Sequence, residues 1–240
     1  MFTPVEIIIA LVVSTIGAAI QGVVGFGFGV LSVPILTIIN PDFTPIPQLI
    51  LALPLAMTIA LRERRHLDLS GAAWVIAGRF PGGLLGALLL GAVASRTIDA
   101  IIAVVVIAAS VTIASGWSIR RTSFTEFLAG VTSGITGTVS AVGGPPIALI
   151  YHDSPGGTIR STLSTIFIVG LIINLVTLGA FGEIHRTDLT TAAILLPGML
   201  VGVTLSRFLA RRFDDRVLRR IVLVTAGLAG LGLAVKVLLS

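Results

Sequence analysis

The chain has 240 residues, of which 55% are hydrophobic and 11% charged, with no cysteine and a formal net charge of +5. A soluble domain is about a quarter charged, so this composition excludes an ordinary soluble fold and leaves no segment over for a separate catalytic or ligand-binding unit. Disulfides, thiolate nucleophiles and Cys-ligated metals are excluded too, and the basic residues fall in short intervals between apolar spans, a positive-inside layout rather than a nucleic-acid surface.

The opening MFTPVEIIIA has neither a basic n-region nor a small-residue cleavage site, so it reads as an inserted membrane segment and not as a cleaved signal. Apolar segments follow at about 5–21, 26–39, 45–61, 71–94 and 98–117, then at about 125–138, 143–152, 161–181, 188–209 and 214–238. That is five, then five. Gly22 and Gly29 match Gly137 and Gly144 at an offset of 115, while Pro81, Gly82, Gly86, Arg96 and Asp99 match Pro197, Gly198, Gly202, Arg212 and Asp215 at 116. Weak internal symmetry of this kind marks transporter folds built from repeats. The expectation is one all-α polytopic membrane domain over 1–240, with repeats at 1–119 and 120–240.

Segments 26–39 and 143–152 are short of the roughly 20 residues that span a bilayer as helix. With its predecessor, each forms either a returning, re-entrant-like hairpin or one broken helix that crosses once. If each pair returns, Arg62, Arg64, Arg65, Arg120, Arg121, Arg160, Arg207, Arg211, Arg212, Arg216, Arg219 and Arg220 share one side and Arg96, Arg186 and Lys236 the other, 12 against 3 with Arg79 intramembrane. Single crossings give 6 against 8 with Lys236 and Arg79 set aside. The positive-inside rule prefers the hairpins, each followed by three transmembrane helices, with the two repeats inverted.

The short segments begin within QGVVGFGFG and TGTVSAVGGPP. A break inside hydrocarbon exposes peptide groups that lipid cannot satisfy, so it must be buried in protein or line a polar cavity. Gly25, Gly27 and Gly29 in the first break, and Gly143 and Gly144 in the second, permit positive φ and close backbone approach; Pro145 and Pro146 then start a helix with φ preset. A helix restarting there aims free N–H groups and about +0.5 of charge into the cavity, a place for an anion. The alternative is a small-residue packing surface of the GxxxG kind.

Arg79, about eight residues into the fourth segment, either binds an oxyanion with its guanidinium or snorkels to the basic side. Asn174 and Gln48 either contact a substrate or bond neighbouring helices. Gln21, Ser140 and Thr136 flank the breaks and can line the same cavity. Tyr151, His152, Asp153 and Arg160 either gate the basic mouth or are interfacial and solvated. No HExxH, GxSxG or P-loop is present, and GFGFG lacks the preceding strand and following acidic residue of a dinucleotide site, so neither an enzyme nor a cofactor is expected.

QGVVGFGFGVLSVPIL, GVTSGITGTVSAVGGPPIALIY and TIRSTLSTIFIVGLIINLV together resemble the TauE/SafE sulfite exporter family of bacterial membrane permeases. The resemblance covers essentially the whole chain. It implies a carrier in the bacterial inner membrane for small anions such as sulfite, sulfoacetate or other organosulfonates. The family's glycine-proline breaks fall on Gly22, Gly25, Gly27, Gly29 and Pro34 and on Gly137, Gly143, Gly144 and Pro145; its Arg-Ser-Thr helix start falls on Arg160 to Thr162 and its intramembrane Asn on Asn174. The first half departs from the pattern, with Met57 and Thr58 where members often carry an Asn and a basic residue. The expected site is therefore Gln21, Gly22, Gly25, Gly27, Gly29, Arg79, Gly137, Ser140, Gly143, Gly144 and Asn174, with H⁺ or Na⁺ as possible coupling ions. A small-anion channel and a membrane enzyme or scaffold are the rival classes. No Asp or Glu inside a span nominates a carboxylate proton carrier, since Glu6 and Glu126 sit at segment ends.

Overall fold

A computed structural model describes residues 2–115, 119–151, 153–210 and 215–239. His152, Arg211 and Arg212, and the side chains of Arg216, Arg219 and Arg220, lie outside the described residues. Among the described residues ten α-helices occupy the ten expected segments: α1 Pro4–Val24, α2 Phe28–Ile39, α3 Ile46–Glu63, α4 Leu69–Ala92, α5 Ser95–Ala114, α6 Ser123–Ser140, α7 Gly144–Ile150, α8 Gly156–Ala180, α9 Arg186–Leu209 and α10 Asp215–Leu239. Among the described residues the regular structure is all helical, and α1, the stretch Pro41–His66, α4, α8 and α9 are long and apolar enough to cross a membrane. α8 begins five residues before its expected start, because Pro155 holds the extended N-cap conformation while polar Thr158 and Arg160 mask the helical period.

Helix ends follow local chemistry. Thr3 and Glu6 form a capping box, with Glu6 N–H donating to Thr3 Oγ1 at 3.2 Å and Thr3 N–H to Glu6 Oε2 at 2.6 Å. Asp68 caps α4, and Thr122 caps α6. At the far end of α2, Lys236 of α10 donates to the Thr37 and Ile38 carbonyls at 3.1 Å each.

Both short helices return. Asn40 at the end of α2 comes within 3.5 Å of Glu6, and Phe2 stacks on Phe43 with ring centroids 4.3 Å apart. At the end of α7, Arg121 lies over the Tyr151 ring, 4.6 Å from its centroid, while pairing with Asp68 and Glu126 at the starts of α4 and α6. The hairpin arms are unequal. α1 has 21 residues and α2 has 12; α6 has 18 and α7 has 7, so at 1.5 Å per residue the returning arms reach only about 18 and 10 Å.

This path gathers the turns that carry Arg62, Arg64, Arg65, Arg120, Arg121, Arg160 and Arg207 at one end of the molecule, the basic end. Arg96, Arg186 and Lys236 stand at the other, where Asp42, Asp99, Glu183 and Asp188 line an open vestibule.

Helix pairing is reciprocal: α1 packs on α9 as α6 packs on α4, α3 packs on α9 as α8 packs on α4, and α3–α8 and α5–α10 pair across the halves. Small residues make the closest seams. A methyl group on Gly78 or Gly82 of α4 would strike the Phe127 or Val131 carbonyl of α6, and one on Gly198 or Gly202 of α9 would strike the Leu11 or Thr15 carbonyl of α1. Gly82 and Gly198, matched in the sequence at an offset of 116, both sit in such close seams. Without a hydrophobic force between helices in lipid, such close backbone contact supplies dispersion that larger residues would forbid.

Candidate functional site

The first break is a two-glycine turn. Gly25 ends α1 with φ 95°, its N–H on the Gln21 carbonyl at 2.8 Å, and Gly27 opens α2 with φ 127°. These are backbone conformations that a side chain would strain. The Gln21 side chain turns back and accepts the Phe28 N–H at 3.1 Å. The next amides, those of Gly29 and Val30, fall in the first turn, where the helix itself offers no acceptor.

The second break is built differently. Its left-handed residue is Ala141, with φ 53°, whereas Gly143 is right-handed with φ −91° and Gly144 lies in the helix. Of the two freedoms expected of these glycines, Gly29, Gly143 and Gly144 do not use positive φ and instead serve close approach. Gly143 packs against Ser133 and Gly137, and a Cβ on Gly144 would stand 3.0 Å from Phe26 Cβ. Pro145 and Pro146, at the start of α7, also carry no N–H, so this break offers far fewer amide donors than the first. The two helix starts are not equivalent anion cups.

Arg79 supplies the missing charge. It is 1% exposed, so it does not snorkel. Its Nη1 donates to Ser133 Oγ at 2.8 Å, and Ser133 Oγ donates in turn to the Gly143 carbonyl. Gly170 and Gly137 leave room for the guanidinium, and the Phe167 ring centroid is 5.9 Å from its central carbon. Its Nε has no hydrogen-bond partner, and no carboxylate pairs with it among the described residues. Charged residues inside a span are rare and generally partnered, costing about 2.5–3.5 kcal/mol on insertion scales.

The two breaks and Arg79 line one cavity of about 40 Å³, whose wall includes Gln21, Phe26, Gly27, Gly29, Arg79, Ala52, Gly137, Gly143, Gly144 and Phe167. That volume holds a few waters. Gly29 lies so close to the Ala141 carbonyl that a side chain there would push the breaks apart. Asn174 is fully buried with both amide atoms unpartnered; its Nδ2 and Arg79 Nη2 both flank Gly137.

Other expected site residues stand elsewhere. Gly22 is a packing glycine against Ser206 of α9, and Gly25 backs onto the Arg160 backbone. Ser140 bonds back to the Thr136 carbonyl at 2.6 Å, and Thr136 to Thr132, because hydroxyls late in a helix satisfy themselves on the preceding turn. Thr136 faces an apolar groove between α5, α6 and α7. Gln48 bridges Ser32 and the Phe43 carbonyl, tying α2 to α3. Tyr151 is buried rather than interfacial. The sequence reading passed over Ser133 and Phe167. Ser133 could have been found, since it lies one helical turn before Gly137 and so on the same face.

An all-helical bundle, among the described residues, with five stretches long and apolar enough to cross a bilayer defines a polytopic membrane protein. Set against known families, residues 9–233 match the sulfite exporter TauE/SafE family, and the chain belongs to it. Comparison with curated proteins and with solved structures gave no significant match.

Proposed function

We propose that the chain is a secondary carrier that moves sulfite, sulfoacetate or another small organosulfonate across the bacterial inner membrane by alternating access. The observation that carries this is Arg79, buried beside both helix breaks with no carboxylate partner among the described residues. An oxyanion there takes the free Nε–H of Arg79 on one side and the first-turn amides of α2 on the other. Gln21 Oε1, already bonded to Phe28 N–H, marks where one substrate oxygen would sit. Asn174, from the adjoining helix, has a donor and an acceptor to spare for a sulfonate or its solvating water.

The reciprocal helix pairing supports two repeats, 1–119 and 120–240, inverted about the cavity, and rocking one against the other would expose the site to each side in turn. A cavity this small, with no wide pore through it, favours a carrier over a channel. H⁺ or Na⁺ coupling fits this reading, with helix-end carbonyls as cation ligands. The purified protein in proteoliposomes should give saturable counterflow of labelled sulfoacetate or sulfite in preference to simple carboxylates. Absence of counterflow with all three overturns the reading, and conductance without saturation would assign a channel.

A further inference from the structure

A cluster at the basic end plays no part in the central cavity. α1 stops inside the fold with no basic residue in its last turn, which leaves the terminal carbonyls that a helix cannot satisfy itself. Arg62 of α3 donates to the Gly22 carbonyl and, at 2.9 Å, to Ser206 Oγ of α9. Arg160 of α8 donates to the Val23 carbonyl at 3.2 Å. Between the two guanidinium groups stands the Glu63 carboxylate, whose Oε1 is 3.2 Å from Arg62 Nε and 3.1 Å from Arg160 Nε. The three side chains are only 16–17% exposed.

The cluster has an outside and an inside. Outward, Arg62 and Glu63 line an open vestibule of about 680 Å³ with Thr58 and Arg207. Inward, Gly25 rests on the Arg160 backbone, two residues before Gly27 in the wall of the central cavity.

Two arginines converging on one carboxylate oxygen form an oxyanion site with an internal occupant. We propose that Arg62 and Arg160 form a second anion site, between the basic-end vestibule and the central cavity, which Glu63 fills while the path is closed and a passing sulfonate takes over as it opens. The identity of that anion rests on the carrier reading above; the latch itself does not. Gly22 and Ser206 hold Arg62 in place when Glu63 leaves, and His66, 4.0 Å from Glu63 Oε2, stands on the solvent side to receive the carboxylate.

Because the chain has no cysteine, a single Ala52→Cys substitution in the cavity wall reports access. A membrane-impermeant thiosulfonate reagent applied to the basic face should label Ala52→Cys slowly, and about tenfold faster when Glu63→Gln is added. Sulfoacetate should accelerate labelling where Glu63 is present and have little further effect in Glu63→Gln. Equal labelling rates with and without Glu63→Gln overturn the latch, even where counterflow is normal. Faster labelling in Glu63→Gln with no response to sulfoacetate in either background upholds the latch and overturns its assignment as a sulfonate site. Should Glu63→Gln fail to fold, Glu63→Asp keeps the charge but withdraws it by one methylene; an intermediate labelling rate then supports the proposal and an unchanged rate overturns it.

Discussion

Arg79 and Gly144 show how much one position can carry here. A hydrogen bond to a charged group contributes about 1.5–3 kcal/mol, so Arg79→Gln should raise the half-saturating concentration in sulfoacetate counterflow by about 10- to 100-fold, with normal insertion. An unchanged value would mean that the guanidinium only braces Ser133 and the second break. For Gly144→Val the argument is steric. The new side chain would press on Phe26 and Phe167 and fill a cavity of about 40 Å³, so counterflow should vanish while the protein still purifies as a folded species. Wild-type flux in that variant would show that the substrate passes elsewhere.

At the level of the helix, the close seams and the caps decide stability. Gly82→Leu forces α4 off the Val131 backbone of α6; overpacking typically costs about 1–3 kcal/mol, and a lowered Tm in detergent should report it. Asp68, at the N-cap of α4, gives a pH-dependent counterpart. Burial raises its carboxyl pKa, but hydrogen bonds from Ser70, Arg121 and the Gly71 amide outweigh this and hold it below the ordinary value of 3.8. A depressed acid contributes stability that is fully present above its unfolded pKa and is lost as pH falls through the folded one. Tm should therefore fall below about pH 4, and Asp68→Asn should flatten that fall; an identical profile in the variant would assign it to other carboxylates.

Over the whole molecule, apolar runs made all ten helices legible, and the 12-to-3 division of basic residues favoured the returning hairpins that the contacts then showed. The first break could also be read in advance, since Gly25 and Gly27 are glycine for their φ. The second could not. Its left-handed residue is Ala141, a residue type that carries no conformational signal, and its glycines answer to neighbours far away in sequence. Arg79 was conspicuous as a lone charge, whereas its support by Ser133, Gly170 and Phe167 depends on how α4, α6 and α8 meet. The Glu63 cluster was invisible for a plainer reason: within LRERRH it looks like a solvated charge run, and only folding brings Arg160 to it.

On the carrier reading proposed above, the unequal returning arms, 12 residues in α2 and 7 in α7, would limit how alike the two sides of a transport cycle can be. Two identical halves could trade shapes, making the state open to one compartment a mirror of the state open to the other. With a stub opposite a longer arm, no such exchange of shapes is available, and the two open states of the proposed cycle would differ in energy and in how tightly they grip the same solute. Half-saturation measured from the two faces in oriented vesicles should therefore differ, with maximal rates differing in the same ratio when no second gradient is coupled; equal values on both faces would mean that the arms are energetically alike.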